Sequence, residues 1–146
     1  MKQTKSSFKN IWLFLPCHNE EENLKPLVNM ILKLKIPNLF ITIINDNSID
    51  NTGKVADQLK KQHKGKIDVL HRKPPRGRAR AGKDAFIFCL NKKADVIIEM
   101  DADFSHDPKY IPKMLKELEN KNIDVVLGSR FLPGGSDSAR SPFRTF

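Results

Sequence analysis

The sequence is poor in cysteine and has no long apolar run. Its two cysteines, Cys17 and Cys89, cannot build a disulfide framework and match no zinc-ligand spacing, which favours a reducing compartment. No apolar run approaches the roughly 18 residues that a membrane span requires. The run at 11–15 is short and leads into polar residues, so we do not expect a signal peptide. These absences argue against a disulfide-stabilised secreted domain and against a membrane-spanning segment.

Glycine is also scarce, with seven in 146 residues. Gly77 and Gly82 lie in a basic stretch, residues 71–83, but form neither a Walker loop nor a G-x-G-x-x-G fingerprint. This argues against an ATPase or a dinucleotide-dependent enzyme. The stretch has six Arg or Lys residues and no Phe, Tyr or Trp, which disfavours stacking on single-stranded nucleic acid. Three interpretations stay open: a nuclear-localisation or nucleic-acid patch, a solvated loop, or a phosphate-binding loop.

The overall composition is typical of one soluble globular domain. Hydrophobic residues make up 39% of the chain and charged residues 29%, and a domain of this size can bury roughly two-thirds of its unfolded surface. The 26 Lys and Arg residues against 17 Asp and Glu give a formal charge of +9. Such an excess favours an anionic partner, whether a nucleotide, a nucleic acid or a membrane surface.

Short apolar runs alternate with segments of helical periodicity. The predicted strands are residues 11–15, 39–44, 67–70, 96–100 and 123–127, and the predicted helices are about 20–32 (capped by Asn19), 50–63, 81–90 and 107–118. This alternation predicts an α/β fold, a mostly parallel sheet with helices on both faces. We expect a tail at 1–10 and a domain at 11–130. The chain becomes polar and rich in Gly and Pro after Gly128, and we expect residues 131–146 to be the start of an acceptor-side segment that is incomplete.

The clearest chemical signal is a pair of carboxylates after the fourth predicted strand. Asp101 and Asp103 are two positions apart, so in extended backbone their side chains point the same way. Two close carboxylates repel unless a proton or cation lies between them, and oxygen ligands of this kind suit Mg²⁺ or Mn²⁺ shared with a phosphate. A bare Asp-x-Asp is commonly a solvated turn, but its position between an apolar strand and a helix favours a metal site.

Polar residues also follow the first two predicted strands, and each has two interpretations. Asp46 lies in the segment 45–48, which is either a turn stabilised by Asx side chains or a contact for a nucleotide's base or ribose. Glu20 either complements a helix dipole or binds the ligand. His18 is either a nucleotide contact or an ordinary loop histidine.

Five segments, in this order and spacing, resemble family 2 glycosyltransferases with the GT-A fold. Within that family they are most similar to the dolichyl- or polyprenyl-phosphate mannosyltransferases. The segments are PCHNEEEN, IINDNS, GRARAG, EMDADFSHDPKYIP and LGSRF. The resemblance covers residues 11–144, and the fourth and fifth segments are its most specific parts.

The resemblance implies a nucleotide-sugar-binding fold with roles for ten residues. Those expected to bind the donor are Pro16, His18, Glu20, Ile44, Asp46, Asp101, Ala102 and Asp103. Asp101 and Asp103 are also the expected metal ligands, and with Arg130 the expected catalytic residues. Arg130 and Arg144 are expected to bind the acceptor phosphate. The chain departs from the family at four positions: His18 replaces the usual Tyr, Asn45 a commoner Asp, Asn47 a commoner Gly, and Ala79 a frequent Gly.

The implied reaction is transfer of a sugar, mannose from GDP-mannose, to a polyprenyl or dolichyl phosphate with inversion, aided by Mg²⁺ or Mn²⁺. The second pKa of a phosphate monoester is about 6, so the acceptor is mostly ionised at pH 7 and needs no general base. The resemblance further implies a peripheral location at the cytosolic face of a membrane, with a possible membrane subunit and no nucleic-acid partner.

Two alternatives stay open: a family 2 enzyme that uses a UDP-sugar or a glycan acceptor, and a non-catalytic nucleotide- or nucleic-acid-binding α/β module. Family members usually continue beyond the Gly-Ser-Arg element. In a chain that stops at Phe146, we therefore expect donor binding to be better preserved than turnover.

Overall fold

The computed structural model describes residues 7–129 and 131. The chain divides between Lys109 and Tyr110 into two compact units. Among the described residues, the first unit contains a parallel sheet and three α-helices, and the second contains one α-helix.

The sheet of the first unit has four parallel strands in the order β3-β2-β1-β4. They are β1 (Ile11–Cys17), β2 (Leu39–Asn45), β3 (Ile67–His71) and β4 (Val96–Glu99). β1 and β2 are the two central strands and are almost wholly buried, because both faces of a parallel sheet are covered. The predicted α/β fold with a parallel sheet is confirmed.

Three helices connect these strands. They are α1 (Leu24–Lys33), α2 (Thr52–Gln62) and α3 (Arg78–Asn91). The connection from β3 to β4 crosses the sheet in the opposite direction to the two before it. Right-handed crossovers therefore place α1 and α2 on one face and α3 on the other. This reversal opens a crevice at the carboxyl edge of the sheet between β1 and β4.

The face under α3 is an aromatic core. Trp12, Phe14 and Ile44 from the sheet pack with Ala81 and Ala85 of the helix. The small alanine side chains let α3 approach the rings closely. The first turns of α3 are thereby held at the edge of the sheet.

Two helices of the first unit begin at least three residues from the predicted position. α1 begins at Leu24 and is not capped by Asn19, which has a φ of 60°. The Asn19 side-chain oxygen instead accepts the N–H of Ile49 at 3.0 Å and so joins two loops. α3 begins at Arg78 rather than at residue 81. The second half of the basic stretch is therefore helical.

The second unit contains α4 (Ile111–Leu118), which follows a short 3₁₀ turn (Pro108–Tyr110). The predicted fifth strand at 123–127 is wrong, because these residues form no strand. Val125 and Leu127 are 71% and 81% exposed. An apolar, β-branched composition only favours strand formation. A strand also needs a neighbouring strand to which its backbone can hydrogen-bond.

Within residues 7–129 and 131, no helix combines the length and the apolar character needed to cross a bilayer.

Phe14 lies in the centre of the aromatic core and is completely buried. We expect Phe14→Ala to lower the free energy of unfolding by about 3–5 kcal/mol, because the truncation leaves a cavity. Urea denaturation measures this change. The exposed Ile49 offers a control, and Ile49→Ala should stay within about 0.5 kcal/mol of the wild type. Equal losses in both variants would contradict the proposed core.

Candidate active site

The carboxyl ends of the strands surround an open cavity of about 390 Å³. The residues after β1, β2 and β4 line it together with the start of α3. Seven of the predicted site residues meet there: Pro16, His18, Glu20, Asp46, Asp101, Ala102 and Asp103.

Of the other three predicted site residues, the structure describes only Ile44, which does not line the cavity. Ile44 is fully buried and packs in the aromatic core with Trp12 and Phe14. Arg130 and Arg144 lie outside the described residues.

The loop after β1 places an imidazole and a carboxylate in the cavity. His18 Nδ1 lies 3.2 Å from the carbonyl oxygen of Asp46, and His18 Nε2 contacts the Arg76 guanidinium. A carbonyl oxygen only accepts, so Nδ1 carries a proton and Nε2 accepts from Arg76. Glu20 precedes α1 and accepts the side-chain N–H of Asn23 at 2.8 Å. His18 therefore connects the first loop to the basic stretch.

After β2, residues 45–48 form a turn that the Asn45 side chain stabilises. The Asn45 side-chain oxygen accepts the N–H of Ser48, three residues later, at 3.1 Å. Asp46 serves another purpose. Its carboxylate is buried, binds the Arg72 guanidinium through one oxygen and accepts the N–H of Gly77 at 2.9 Å through the other.

Arg72 is a structural cation. Its side chain is only 7% exposed, and its Nε donates to Asp84 at 2.7 Å in addition to the pair with Asp46. The hydrogen bond to Asp84 and the charge of Asp46 raise the pKa of the Arg72 guanidinium, although burial opposes them. Arg72 is thus held between two carboxylates and is not offered to a ligand.

Gly77 sets the direction in which the basic stretch enters α3. Its φ of 151° lies in the region that favours glycine, and its N–H is held by Asp46. The residues on either side, Arg76 and Arg78, line the cavity. Sequence reasoning noted the basic run but did not single out these two arginines, since like residues in one run carry no signal of which will face inward.

After β4, the two predicted metal ligands line the same cavity but have different partners. Asp101 accepts Nη2 of Arg78 on both oxygens, at 2.9 and 3.1 Å, and its N–H donates to His106 Nδ1 at 3.1 Å. Asp103 accepts the N–H of Ser105 at 2.9 Å. Burial works against ionisation of Asp103, but hydrogen bonds from Ser105 and from its own N–H, together with the charge of His106, hold the pKa of this carboxyl below its ordinary value. Asp103 is therefore a carboxylate at neutral pH.

The donor set suits a divalent cation that keeps most of its coordination for other ligands. In the described part of the chain, no three His, Cys, Asp or Glu side chains form a metal-binding group. The two hard carboxylates, Asp101 and Asp103, fit Mg²⁺ or Mn²⁺, which are commonly held by one or two carboxylates plus water and substrate phosphate. The arginines beside them fit the phosphates themselves.

Comparison with known proteins places this architecture in a family. Residues 12–145 match the model of "Glycosyl transferase family 2". The chain is 34% identical over 124 residues to polyprenol monophosphomannose synthase of Mycolicibacterium smegmatis, covering 85% of this chain and 46% of the relative. It is 36% identical over 121 residues to undecaprenyl-phosphate mannosyltransferase of Micrococcus luteus, covering 83% and 48%. The chain thus spans about half the length of these relatives.

A solved structure has the same fold. The mannosyltransferase PcManGT of Pyrobaculum calidifontis, solved in complex with GDP-Man and Mn²⁺, matches with a TM-score of 0.67 and 17% identity, covering 77% of this chain and 33% of that one. The sheet and its helices therefore have the GT-A arrangement. Because the family model matches nearly the whole sequence, this chain belongs to glycosyl transferase family 2.

Proposed function

We propose that this chain binds the nucleotide-sugar donor of a glycosyltransferase, GDP-mannose, together with a divalent cation. The whole protein then transfers mannose to a polyprenyl phosphate with inversion. The observation that carries the proposal is the meeting of Asp101 and Asp103 with Arg76, Arg78 and the start of α3 in one cavity.

This cavity has the charges that a cation-bound diphosphate requires. Asp101 and Asp103 would hold the cation, while Arg76 and Arg78 offer guanidinium groups to phosphate oxygens. The N-terminus of α3 opens into the same space, and helix N-termini attract anions through their free N–H groups and dipole. Carboxylates alone would favour a cation without a nucleotide, and arginines alone would favour an anion without a metal.

The positive charges at this site would also stabilise the nucleotide diphosphate as it leaves. When bound, the divalent ion supplies a Lewis acid for the negative charge that develops on the leaving diphosphate. Arg76 and Arg78 add hydrogen bonds to the same charge. Pro16, His18, Glu20 and Asp46 lie at the β1 and β2 side of the cavity, where we place the guanine and ribose.

The acceptor and its location are proposed from the relatives. One relative is named for polyprenol and the other for undecaprenyl phosphate, and a phosphate monoester is ionised enough at pH 7 to attack without a general base. We therefore propose a polyprenyl phosphate, approached at the cytosolic face of a membrane, with Arg130 and Arg144 as its phosphate contacts.

Neutralising Asp103 should weaken binding of the donor. We expect Asp103→Asn to reduce the affinity for GDP-mannose in the presence of Mn²⁺ by at least about tenfold, since even residues that only support metal ligands cost that much. Isothermal titration calorimetry on the full chain measures the affinity. Asp124→Asn, the same change at an exposed residue outside the cavity, is the control. Equal affinities for the wild type and Asp103→Asn would contradict the metal-bound donor.

The identity of the base is tested by competition. We expect GDP to bind at least about tenfold more tightly than UDP, a difference of about 1.4 kcal/mol that one or two hydrogen bonds to the larger base can supply. Displacement of GDP-mannose by each diphosphate, at one Mn²⁺ concentration, gives the ratio. Stronger binding of UDP would move the assignment to a UDP-sugar.

Asp46 should affect both stability and binding, unlike Asp103. An amide has one acceptor oxygen where the carboxylate has two, so Asp46→Asn leaves either Arg72 or the Gly77 N–H without its acceptor. We expect the free energy of unfolding to fall by about 2–3 kcal/mol, and donor affinity to fall as the basic stretch loses its attachment.

Urea denaturation and calorimetry of the same sample test both effects of Asp46→Asn. The more exposed Asp57, paired with His71, is the control, and Asp57→Asn should change stability by less than about 1 kcal/mol. Unchanged stability in Asp46→Asn would show that the buried pair of Asp46 and Arg72 does not attach the basic stretch to the sheet.

A further inference from the structure

Arg78 lies on the carboxylate that the proposed function assigns to a cation. One nitrogen, Nη2, is 2.9 Å from one oxygen of Asp101 and 3.1 Å from the other. The guanidinium therefore occupies the space in front of both oxygens. A divalent cation bound to Asp101 needs the same oxygens and carries the same sign of charge.

The pair is weak enough to be exchanged. The Arg78 side chain is 69% exposed, and that of Asp101 is 22% exposed. An ion pair of this exposure changes an equilibrium constant by less than about fivefold. The contrast with Arg72 is clear, because that guanidinium is buried between two carboxylates. Arg78 can leave Asp101 at small cost, whereas Arg72 is fixed.

The backbone of Arg78 is anchored even though its side chain is exposed. Arg78 is the first residue of α3, and the preceding Gly77 N–H is bound to Asp46. A guanidinium that leaves Asp101 therefore stays within a side chain's length of the cavity. Its planar fork matches phosphate oxygens, and the proposed diphosphate lies in that cavity.

We propose that Arg78 and the divalent cation compete for Asp101, and that the cation releases the Arg78 guanidinium to a phosphate oxygen of the donor. This inference rests on the proposed function, which already assigns Arg78 to the phosphates, and adds to it the exchange at Asp101. It has a thermodynamic consequence. The cation alone must displace Arg78, whereas the diphosphate offers Arg78 a new partner, so cation and nucleotide bind with positive coupling.

Calorimetry of Arg78→Gln tests the exchange, because it should act in opposite directions on the two ligands. We expect Mn²⁺ alone to bind about two- to fivefold more tightly than to the wild type, since its competitor is gone. With saturating Mn²⁺, we expect GDP to bind about tenfold more weakly, since a charge-assisted hydrogen bond to phosphate is lost. Both titrations use the full chain.

Arg80→Gln is the matched control, because Arg80 is an exposed arginine in the same helical turn that does not line the cavity. It removes the same charge and should change either affinity by less than about twofold. Equal effects of the two variants would reduce the result to overall charge and overturn the exchange. Weaker binding of both ligands to Arg78→Gln, or no change in either, would overturn it too.

A second phosphate source is separated by titrating farnesyl phosphate, a short isoprenoid monophosphate that stands for the acceptor. If Arg78→Gln lowers the affinity for farnesyl phosphate and leaves the affinity for GDP unchanged, Arg78 binds the acceptor phosphate. The assignment of Arg78 to the donor is then wrong. A wild-type chain that binds neither Mn²⁺ nor GDP overturns the proposed function together with this inference. If the wild type binds Mn²⁺ and GDP and the variants bind them with the same affinities, this inference alone is overturned.

The wild-type chain also gives a direct measurement that does not depend on how a variant folds. The ¹⁵N side-chain resonances of Arg78 should shift when Mg²⁺ is added alone, and shift again when GDP follows. Arg78→Lys identifies these resonances by their loss. Arg78 signals that do not respond to Mg²⁺ would contradict displacement from Asp101.

Discussion

The site depends on the hydrogen bonds that the buried carboxylate of Asp46 accepts. It binds Arg72 with one oxygen and the Gly77 N–H with the other, and so fastens the basic stretch to the end of β2. Without this attachment, six positive charges within thirteen residues would repel one another and extend into water. With it, α3 begins at the edge of the sheet and its first turn faces the cavity. An acidic residue thus makes a basic ligand site possible.

The arginines of that stretch differ in their burial and in their partners. Arg72 is surrounded by carboxylates and stabilises the fold. Arg76 and Arg78 line the cavity and meet His18 and Asp101. Arg80 is exposed on the helix.

Sequence reasoning located the parallel sheet well and the ends of its elements less well. Buried strands such as β1 and β2 are apolar runs whose composition alone indicates them. The segment at 123–127 has the same composition and is not a strand, since pairing depends on a neighbour that no local pattern specifies. Ile44 illustrates a similar limit. Its position in the motif pointed to the nucleotide, whereas its side chain packs in the aromatic core.

The sequence by itself determined the fold class, the family and the acidic residues at the strand ends, because these follow from short runs and motifs whose information is local. Tertiary structure decided which charge meets which. Asp46 binds Gly77 across 31 positions, and Arg78 meets Asp101 across 23. The crossover of α3 over the sheet brings both pairs together. They differ in burial, because Asp46 is buried whereas the Arg78 side chain is 69% exposed. The residues adjacent to a side chain in the sequence determine neither the path of this crossover nor how deeply that side chain is buried.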